Sequence, residues 1–328
     1  MRPVLQLTPI PGPRTSYVCL PPASELPPNA LFAVTFGQES ALPSPRSVCV
    51  NLQPLAGVGF AEIWYAHGDV VAGFDGAVRF VADDHFLAGV TEVDERDHGG
   101  IAGATRFAYG AIAEFQSKSK FPHLLRTWNY FDAINRGSGD TERYREFCTG
   151  RVAGLNGMRQ AQHPAATVIG RRDDHPVLQV YWLAGLQPGI AIENPRQLSA
   201  YHYPRQYGQT APTFSRAMLA ASDVLMISGT ASIVGHASRH AGSITAQVDE
   251  ILANLDSLLA PARAHAPALP ASFGPHSLIK AYVRNRGDLQ VVESKLRAHL
   301  PDTPCLILHG DVCRADLLVE FDCLHAAG

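Results

Sequence analysis

The clearest periodic pattern along the chain predicts a helix over residues 243–259. In SITAQVDEILANLDSLL, apolar side chains recur at helical spacing, at 244, 248, 251, 252, 255, 258 and 259. Ser243 precedes the pattern and is a typical N-cap residue. The Pro/Ala-rich stretch PARAHAPALPAS at 261–272 cannot be helical throughout, and we predict a loop there.

Two segments of the chain repeat one order of predicted elements: strand, helix, strand, strand. The first copy has them at 123–130, 140–155, 164–170 and 175–185, and the second at 277–284, 288–300, 303–310 and 315–328. The β-branched stretch 223–235 predicts a further strand that runs into a glycine-bounded loop. Alignment of the copies places Gln179 of the first opposite Glu320 of the second.

The repeat predicts an α/β (α+β) fold built from two similar domains. Each is expected to be a β-β-α-β-α-β-β unit in which the helices cover one face of a mixed sheet. We place the boundary near residue 190, which gives a divergent N-terminal domain, 1–190, and a C-terminal domain, 191–328.

Composition narrows the class of partner. The 328 residues are 46% hydrophobic and 17% charged, with a formal net charge of −3 and no basic tail. These values disfavour nucleic acid and favour a small molecule as the partner. No apolar run approaches the roughly 18 residues that a membrane span needs, and the first residues lack the pattern of a signal peptide. We therefore expect no membrane partner and a cytoplasmic location.

Motifs for metals and nucleotides are missing from the sequence. The six cysteines form no C-x-x-C pair, no H-x-x-x-H motif falls on a helical pattern, and neither glycine-rich nucleotide motif is present. We expect reduced, mostly buried cysteines, no metal and no cofactor.

Arginines and aromatic residues are concentrated in the segment 124–151, LLRTWNYFDAINRGSGDTERYREFCTGR. The arginines in and just after it are Arg126, Arg136, Arg143, Arg145, Arg151 and Arg159. So many cations in a chain of low charge content indicate a local site for an anion.

The repeat unit resembles the RidA/YjgF family. The resemblance is carried by ENPR…YP at 193–204, VLMISGTASI at 224–233, SLIKAYVRNRGDLQVVESKL at 277–296 and LLVEFD at 317–322. Simple members of that family are trimeric enamine deaminases that hold the substrate carboxylate with the arginine of a P-A-R triplet. Here the triplet is Pro304-Cys305-Leu306, so ordinary deaminase activity is disfavoured.

The combination of motifs more specifically resembles the chorismatase family, whose chains fuse two RidA/YjgF-like (chorismate mutase-like) domains. The matching motifs are RTWNY, RYREFCTGR, SAYHYPRQYG, FSRA, SGTASIVGH and CRADLLVEF. The resemblance implies chorismate as the substrate, pyruvate as one product, and neither metal nor cofactor. The second product differs within the family: a dihydroxycyclohexadiene carboxylate, 3-hydroxybenzoate, or a mixture of 3- and 4-hydroxybenzoate.

Glu320 is the predicted catalytic acid. Strand alternation places Leu317, Val319 and Phe321 on one face and Glu320 on the other, and apolar neighbours favour a raised carboxyl pKa. Its counterpart in the first copy, Gln179, does not titrate. Glu320 also matches the catalytic glutamate that the resemblance implies.

The predicted substrate-binding residues come from both domains. Tyr144 and Arg151 are seven residues apart on the predicted helix and so share a face, and they match the family's binding tyrosine and arginine. Tyr203 and Arg216 also match family positions and are assigned to the second carboxylate and the ring. Arg205 is a weaker candidate, and the site is expected between the domains.

Gly229 and Cys313 are predicted to influence which product forms. Within the resemblance, a small residue and a thiol at these positions are typical of the hydroxybenzoate-forming members. We therefore expect 3-hydroxybenzoate together with 4-hydroxybenzoate. A hydrolytic chorismatase and a non-catalytic metabolite-binding protein remain alternatives, and the chain is expected as a monomer or a small homo-oligomer.

Overall fold

The computed structural model describes residues 12–19, 25–37, 42, 44–56, 60–155, 157–158, 162–221 and 223–327. The strands of the N-terminal part are β1 (Arg14–Cys19), β2 (Ala30–Phe36), β3 (Ser47–Val50), β4 (Gln53–Ala56), β5 (Phe60–Tyr65), β6 (Val71–Asp75), β7 (Val78–Ala82), β8 (Phe86–Asp94), β9 (His123–Asp132), β10 (Ala165–Arg171) and β11 (Val177–Gly185). The later strands are β12 (Ile190–Ile192), β13 (Ala217–Ala220), β14 (Val224–Ala231), β15 (Ile233–Val234), β16 (Ala237–Ser238), β17 (Ser277–Val283), β18 (Cys305–His309) and β19 (Val319–Ala326). The helices are α1 (Ile101–Lys118), α2 (Arg143–Gly154), α3 (Ile244–His265) and α4 (Leu289–His299).

The duplicated architecture predicted from the sequence is confirmed. A six-stranded sheet has the order β10-β9-β11-β8-β7-β6, and a seven-stranded sheet has the order β12-β13-β14-β19-β17-β18-β4. When the second order is reversed, the six strands from β18 to β12 follow the same succession as β10 to β6. Each sheet contains one parallel pair, β10 with β9 in the first sheet and β18 with β17 in the second. The next strand, β11 or β19, is antiparallel to that pair.

Register makes the equivalence of the two halves specific. Gln179 of β11 pairs with Tyr130, and Glu320 of β19 pairs with Tyr282. The hydroxyls of these two tyrosines are 3.1 Å apart in the core, so corresponding positions of the two sheets meet there.

The helix predicted at 243–259 is longer than its pattern. Ser243 caps α3 and accepts a hydrogen bond from the Ala246 amide at 3.4 Å, as predicted. The loop predicted at 261–272 is wrong over its first residues, because α3 continues through Pro261 to His265. Buried contacts of Leu258, Leu259 and Ala262 stabilise this last part although Pro261 cannot donate a backbone hydrogen bond.

The N-terminal segment forms structure that the repeat did not predict. Strands β1, β5, β2 and β3 form a separate four-stranded sheet, in that order. Strand β4 leaves this sheet and pairs antiparallel with β18, at the edge of the seven-stranded sheet. The predicted division into 1–190 and 191–328 stays a prediction, but one strand of the first range completes the sheet of the second.

Apolar side chains form three main layers. One cluster lies between α1, α2 and the six-stranded sheet, and another lies between α3, α4 and the seven-stranded sheet. The third joins the inner faces of both large sheets and the four-stranded sheet, with Trp64, Trp128, Tyr181 and Tyr282 among its largest members. No helix among the described residues is long and apolar enough to cross a membrane.

The edge strand β10 connects the halves and frames an opening. Ala165 forms a bridge to Ser215, and Gly170 pairs with Asp311 through two backbone hydrogen bonds of 2.8 and 2.9 Å. Between these two attachments, Ala166 turns toward a pocket.

Candidate active site

The pocket lies where the edge of β10 meets the second half of the chain. The first turn of α2, the loop that precedes β13, strand β14 and the loop between β18 and β19 form its walls. Its volume is about 750 Å³, including the part open to solvent. The predicted site residues that line it are Tyr144, Tyr203, Arg216, Gly229, Cys313 and Glu320.

Glu320 is the buried acid of this pocket. Val319 and Phe321 pack toward α3 and α4, whereas Glu320, only 5% exposed, points the other way, as alternation predicts. The prediction that Leu317 shares a strand face with Val319 and Phe321 is wrong. Leu317 lies before β19 and packs with Val312 in a separate cluster.

Burial determines the protonation of Glu320. Loss of solvent is the largest influence and the charge of Asp322 the second, and together they raise the pKa of the Glu320 carboxyl to about 8. Arg126 and Arg216 act in the opposite direction. At neutral pH the side chain is therefore mainly the neutral acid.

Gly229 provides the space for that carboxyl. The pairing of β14 with β19 shifts register between Ile227 and Thr230, so Gly229 lies in an irregular part of the strand. A Cβ atom at 229 would stand 2.0 Å from Oε1 of Glu320. Any side chain at this position would displace the acid.

Arg216 and Tyr203 form one cationic wall. The Arg216 guanidinium donates hydrogen bonds to the Tyr203 hydroxyl at 2.7 Å and to the Leu198 carbonyl at 2.6 Å. It also lies over the rings of Tyr203 and Phe214, with the carbon of the guanidinium 5.5 and 5.2 Å from the ring centroids. These contacts fix the orientation of a buried cation.

Arg314 is a further pocket arginine, which the sequence reasoning missed. It donates hydrogen bonds to the His236 carbonyl at 2.9 Å and to Ser238 Oγ at 3.1 Å. Its guanidinium lies 3.9 Å from the ring centroid of Tyr207 and 5.2 Å from that of Tyr203. Among the described residues, no carboxylate forms an ion pair with either Arg216 or Arg314.

Tyr144 and Cys313 add neutral polar groups to the wall. Burial raises the pKa of the Tyr144 hydroxyl and that of the Cys313 thiol well above their ordinary values. Both groups are protonated at neutral pH, so Cys313 is no thiolate nucleophile in this environment.

Arg151 is the predicted site residue that does not line the pocket. Seven residues of helix carry it about 10 Å along α2 from Tyr144, into the layer between α2 and the sheet. There its guanidinium lies 4.9 Å from the ring centroid of Tyr109, and it donates a 3.4 Å hydrogen bond to Thr127. Thr127 pairs with the pocket residue Ala166, so Arg151 lies one strand away from the wall.

The remaining arginines of the cation-rich segment have separate roles. Arg143 forms an ion pair of 2.8 Å with Glu95, away from the pocket. Arg145 lines the pocket and pairs with Glu142 at 3.1 Å. Arg126 is buried in the core, and Arg159 lies outside the described residues.

Arg205, the weaker candidate, pairs with Asp140 on the surface, where both side chains are largely exposed. The described cysteines are all free: Cys148 and Cys323 are buried, Cys49 and Cys313 are partly buried, and Cys305 is exposed, so the expectation of a buried thiol is wrong for Cys305. In the described part of the chain, no group of three or more His, Cys, Asp and Glu residues is arranged to hold a metal ion.

The fold thus brings a buried carboxylic acid and two arginines without carboxylate partners among the described residues to one pocket. The comparisons with known proteins identify the family of the chain. Residues 62–184 match the family model described as chorismatase FkbO/Hyg5-like, N-terminal. A chorismatase of Streptomyces hygroscopicus is 36% identical over 272 residues, which cover 80% of this chain and 78% of the relative.

Two further comparisons agree with this assignment. A 3-hydroxybenzoate synthase of Streptomyces hygroscopicus is 34% identical over 287 residues, with 83% of each chain covered. A crystal structure of a chorismatase superposes with a TM-score of 0.83 at 31% identity and covers 96% of this chain and 98% of its own. The chain belongs to the chorismatase family.

Proposed function

We propose that the protein cleaves chorismate to pyruvate and 3-hydroxybenzoate, with 4-hydroxybenzoate as a second aromatic product. The observation that carries this proposal is the neutral acid Glu320, which faces a pocket with two arginines that lack carboxylate partners among the described residues. The activities named for the chorismatase and 3-hydroxybenzoate synthase relatives support the same reaction.

The charges of the pocket suit the charges of chorismate, a compact molecule with two carboxylates. Arg216 and Arg314 both lie over the Tyr203 ring, and each offers a planar fork to a carboxylate. We assign the carboxylate clamps to these two residues instead of to Arg151, which contributes positive charge from one strand away.

Glu320 begins the proposed reaction by donating its proton to the methylene carbon of the enolpyruvyl group. The ether bond at the ring then breaks, and its electron pair leaves with the oxygen, which becomes the carbonyl oxygen of pyruvate. The ring hydroxyl oxygen bonds to the carbon that is released and loses its proton, which reprotonates Glu320. The resulting epoxide opens with loss of a ring C–H proton, while its oxygen gains one, so the atoms of chorismate equal those of the two products.

Gly229 and Cys313 support the choice of internal attack over hydrolysis. Both residues line the pocket with Glu320, and the family resemblance implies that a small residue and a thiol at these positions are typical of the hydroxybenzoate-forming members. Hydrolysis would require a bound water beside the ring carbon, and it would give a dihydroxycyclohexadiene carboxylate. This hydrolytic reaction is the second candidate function.

A non-catalytic metabolite-binding protein is less consistent with the site. A receptor for a dianion gains nothing from a buried carboxyl that loses affinity for anions when it ionises. The cytoplasmic location and the monomeric or small homo-oligomeric state stay predictions.

The test is incubation of the purified protein with chorismate in the absence of added metal or cofactor, with products separated by liquid chromatography and identified by mass spectrometry. We expect pyruvate with 3- and 4-hydroxybenzoate. Glu320→Gln is the matched control, because it keeps size and polarity but removes the proton, and it should bind chorismate without turnover. A dihydrodiol product would favour the hydrolytic reaction, and unchanged chorismate would contradict the proposal.

A further inference from the structure

We propose that Asp322, at the centre of a buried ion cluster behind the pocket, is a positioning residue that keeps the Glu320 carboxyl uncharged for catalysis. This inference rests on the proposed role of Glu320 as the acid. Asp322 does not line the pocket, so it acts through Glu320 and not on the substrate.

The ion cluster lies between the two large sheets. We define it as Glu62, Arg126, Lys280 and Asp322, all of which are at most 4% exposed. Lys280 Nζ lies 2.6 Å from Glu62 Oε2 and 3.7 Å from Asp322 Oδ1, and Arg126 lies 3.5 Å from Asp322 Oδ2.

Neutral donors complete the surroundings of Asp322. Its Oδ2 atom accepts hydrogen bonds from Trp128 at 3.1 Å, from Thr167 at 3.1 Å and from Tyr282 at 2.9 Å. This carboxylate is therefore held by three elements of the fold besides its own strand. Such a network costs too much to bury unless its charges are balanced.

The cluster contains two cations and two carboxylates, so its charge is balanced without Glu320. An ionised Glu320 would be a third carboxylate, for which the cluster has no free cation. Glu320 and Asp322 are two residues apart and therefore point to the same side of β19. Thr167, which bonds Asp322, also lies beside the space that Gly229 leaves for Glu320.

The charged and titratable groups that face Glu320 come from every neighbouring element. Asp322 opposes its ionisation, whereas Arg126 from β9 and Arg216 from the segment before β13 favour it. Tyr144 and Cys313 face it as neutral groups. In the complex the substrate carboxylate engages Arg216, which leaves Asp322 and Arg126 as the opposing protein charges on Glu320.

The experiment measures the pH dependence of kcat/KM for wild type and Asp322→Asn. Glu320 must be protonated to act, so activity falls as pH rises through its pKa. Loss of the Asp322 charge makes ionisation of Glu320 easier, and we expect the alkaline limb to move to lower pH by about one unit or more. A variant that is merely destabilised would lose activity without this displacement.

Two variants keep the test decisive. Asp322→Glu retains the charge in the same surroundings, and its alkaline limb should stay near that of wild type. Lys280→Met removes a cation, so its limb should move to higher pH, and this variant serves if Asp322→Asn does not fold. An unmoved limb in Asp322→Asn, or in Lys280→Met, would overturn the inference.

Failure of the proposed function can be recognised separately. If wild type leaves chorismate unchanged, infrared difference spectra between wild type and Glu320→Gln still report the protonated Glu320 carboxyl as a function of pH. Titration of that band at lower pH in Asp322→Asn would sustain the role of Asp322 without any turnover. The same titration in both proteins would refute it.

Discussion

Gly229 is the residue whose replacement has the most direct consequence for the acid. Since a Cβ atom there would stand 2.0 Å from Glu320 Oε1, Gly229→Ala must displace the carboxyl. We expect kcat to fall about a hundredfold, as for other misplacements of about 1 Å, with a smaller effect on chorismate affinity. Gly274→Ala is the matched control, because a Cβ atom at 274 has no neighbour within 4 Å. Steady-state kinetics of both variants measure this, and full activity in Gly229→Ala would show that Glu320 does not need its observed place.

Arg314 gives a prediction about binding. Arg314→Gln removes a cation whose guanidinium the rings of Tyr203 and Tyr207 hold in place. Charge-assisted hydrogen bonds contribute about 1.5–3 kcal/mol, so we expect KM for chorismate to rise about 10- to 100-fold. Arg297→Gln on the exposed surface of α4 is the control. Equal KM values for the two variants would show that Arg314 does not bind the second carboxylate of chorismate.

At the residue scale, sequence reasoning succeeded where the cause is local. Alternation along β19 and its apolar neighbours predicted both the direction in which Glu320 points and the raised pKa that burial gives it. Arg314 could not be predicted in this way, because the rings that hold it, Tyr203 and Tyr207, are about a hundred residues away in the chain. For Arg151, helical periodicity gave the correct face, but the distance from the pocket depends on how α2 packs on the sheet.

At the scale of the secondary-structure elements, α3 contains Pro261, which lowers the stability of the helix. Pro261 removes the hydrogen bond to the Ser257 carbonyl, so Pro261→Ala should stabilise the protein, by about 1–3 kcal/mol in the free energy of unfolding. Urea denaturation measures the difference. Pro267→Ala, in the loop after the helix, lacks this gain and should leave stability unchanged or slightly lower. Equal effects of the two changes would argue against a strained turn at 261.

The succession of elements along the chain was predictable because it occurs twice. Each copy has its own strand and helix periods, which predicted two similar units with mixed sheets, whereas the order of the strands within each sheet was not predicted. The four-stranded sheet of β1, β5, β2 and β3 has no second copy, and the pairing of β4 with β18 joins distant segments. Local patterns contain no information about such pairings.

At the scale of the whole molecule, the neutral Glu320 links stability to pH. The folded state raises its pKa from an ordinary value near 4.5 to about 8, so folding favours the protonated form. The stability that this gives is fully present below about pH 4.5 and is lost as pH rises through about 8. Other groups also titrate, but Glu320→Gln removes this contribution alone.

We therefore expect the difference in melting temperature between wild type and Glu320→Gln to change with pH. Wild type should lose stability relative to the variant between about pH 5 and 8, and the difference should level off above that range. Thermal unfolding across this range measures it. Parallel curves would mean that Glu320 titrates alike in the folded and unfolded chains.

The pairing of β4 with β18 has a consequence for folding during synthesis. During synthesis this strand leaves the ribosome about 250 residues before its partner β18, so the partner edge does not yet exist. The last sheet can close only after nearly all of the chain has emerged, and a long-range contact of this kind slows folding. Until then β4 has no native strand to pair with, and an unpaired strand is open to non-native pairing.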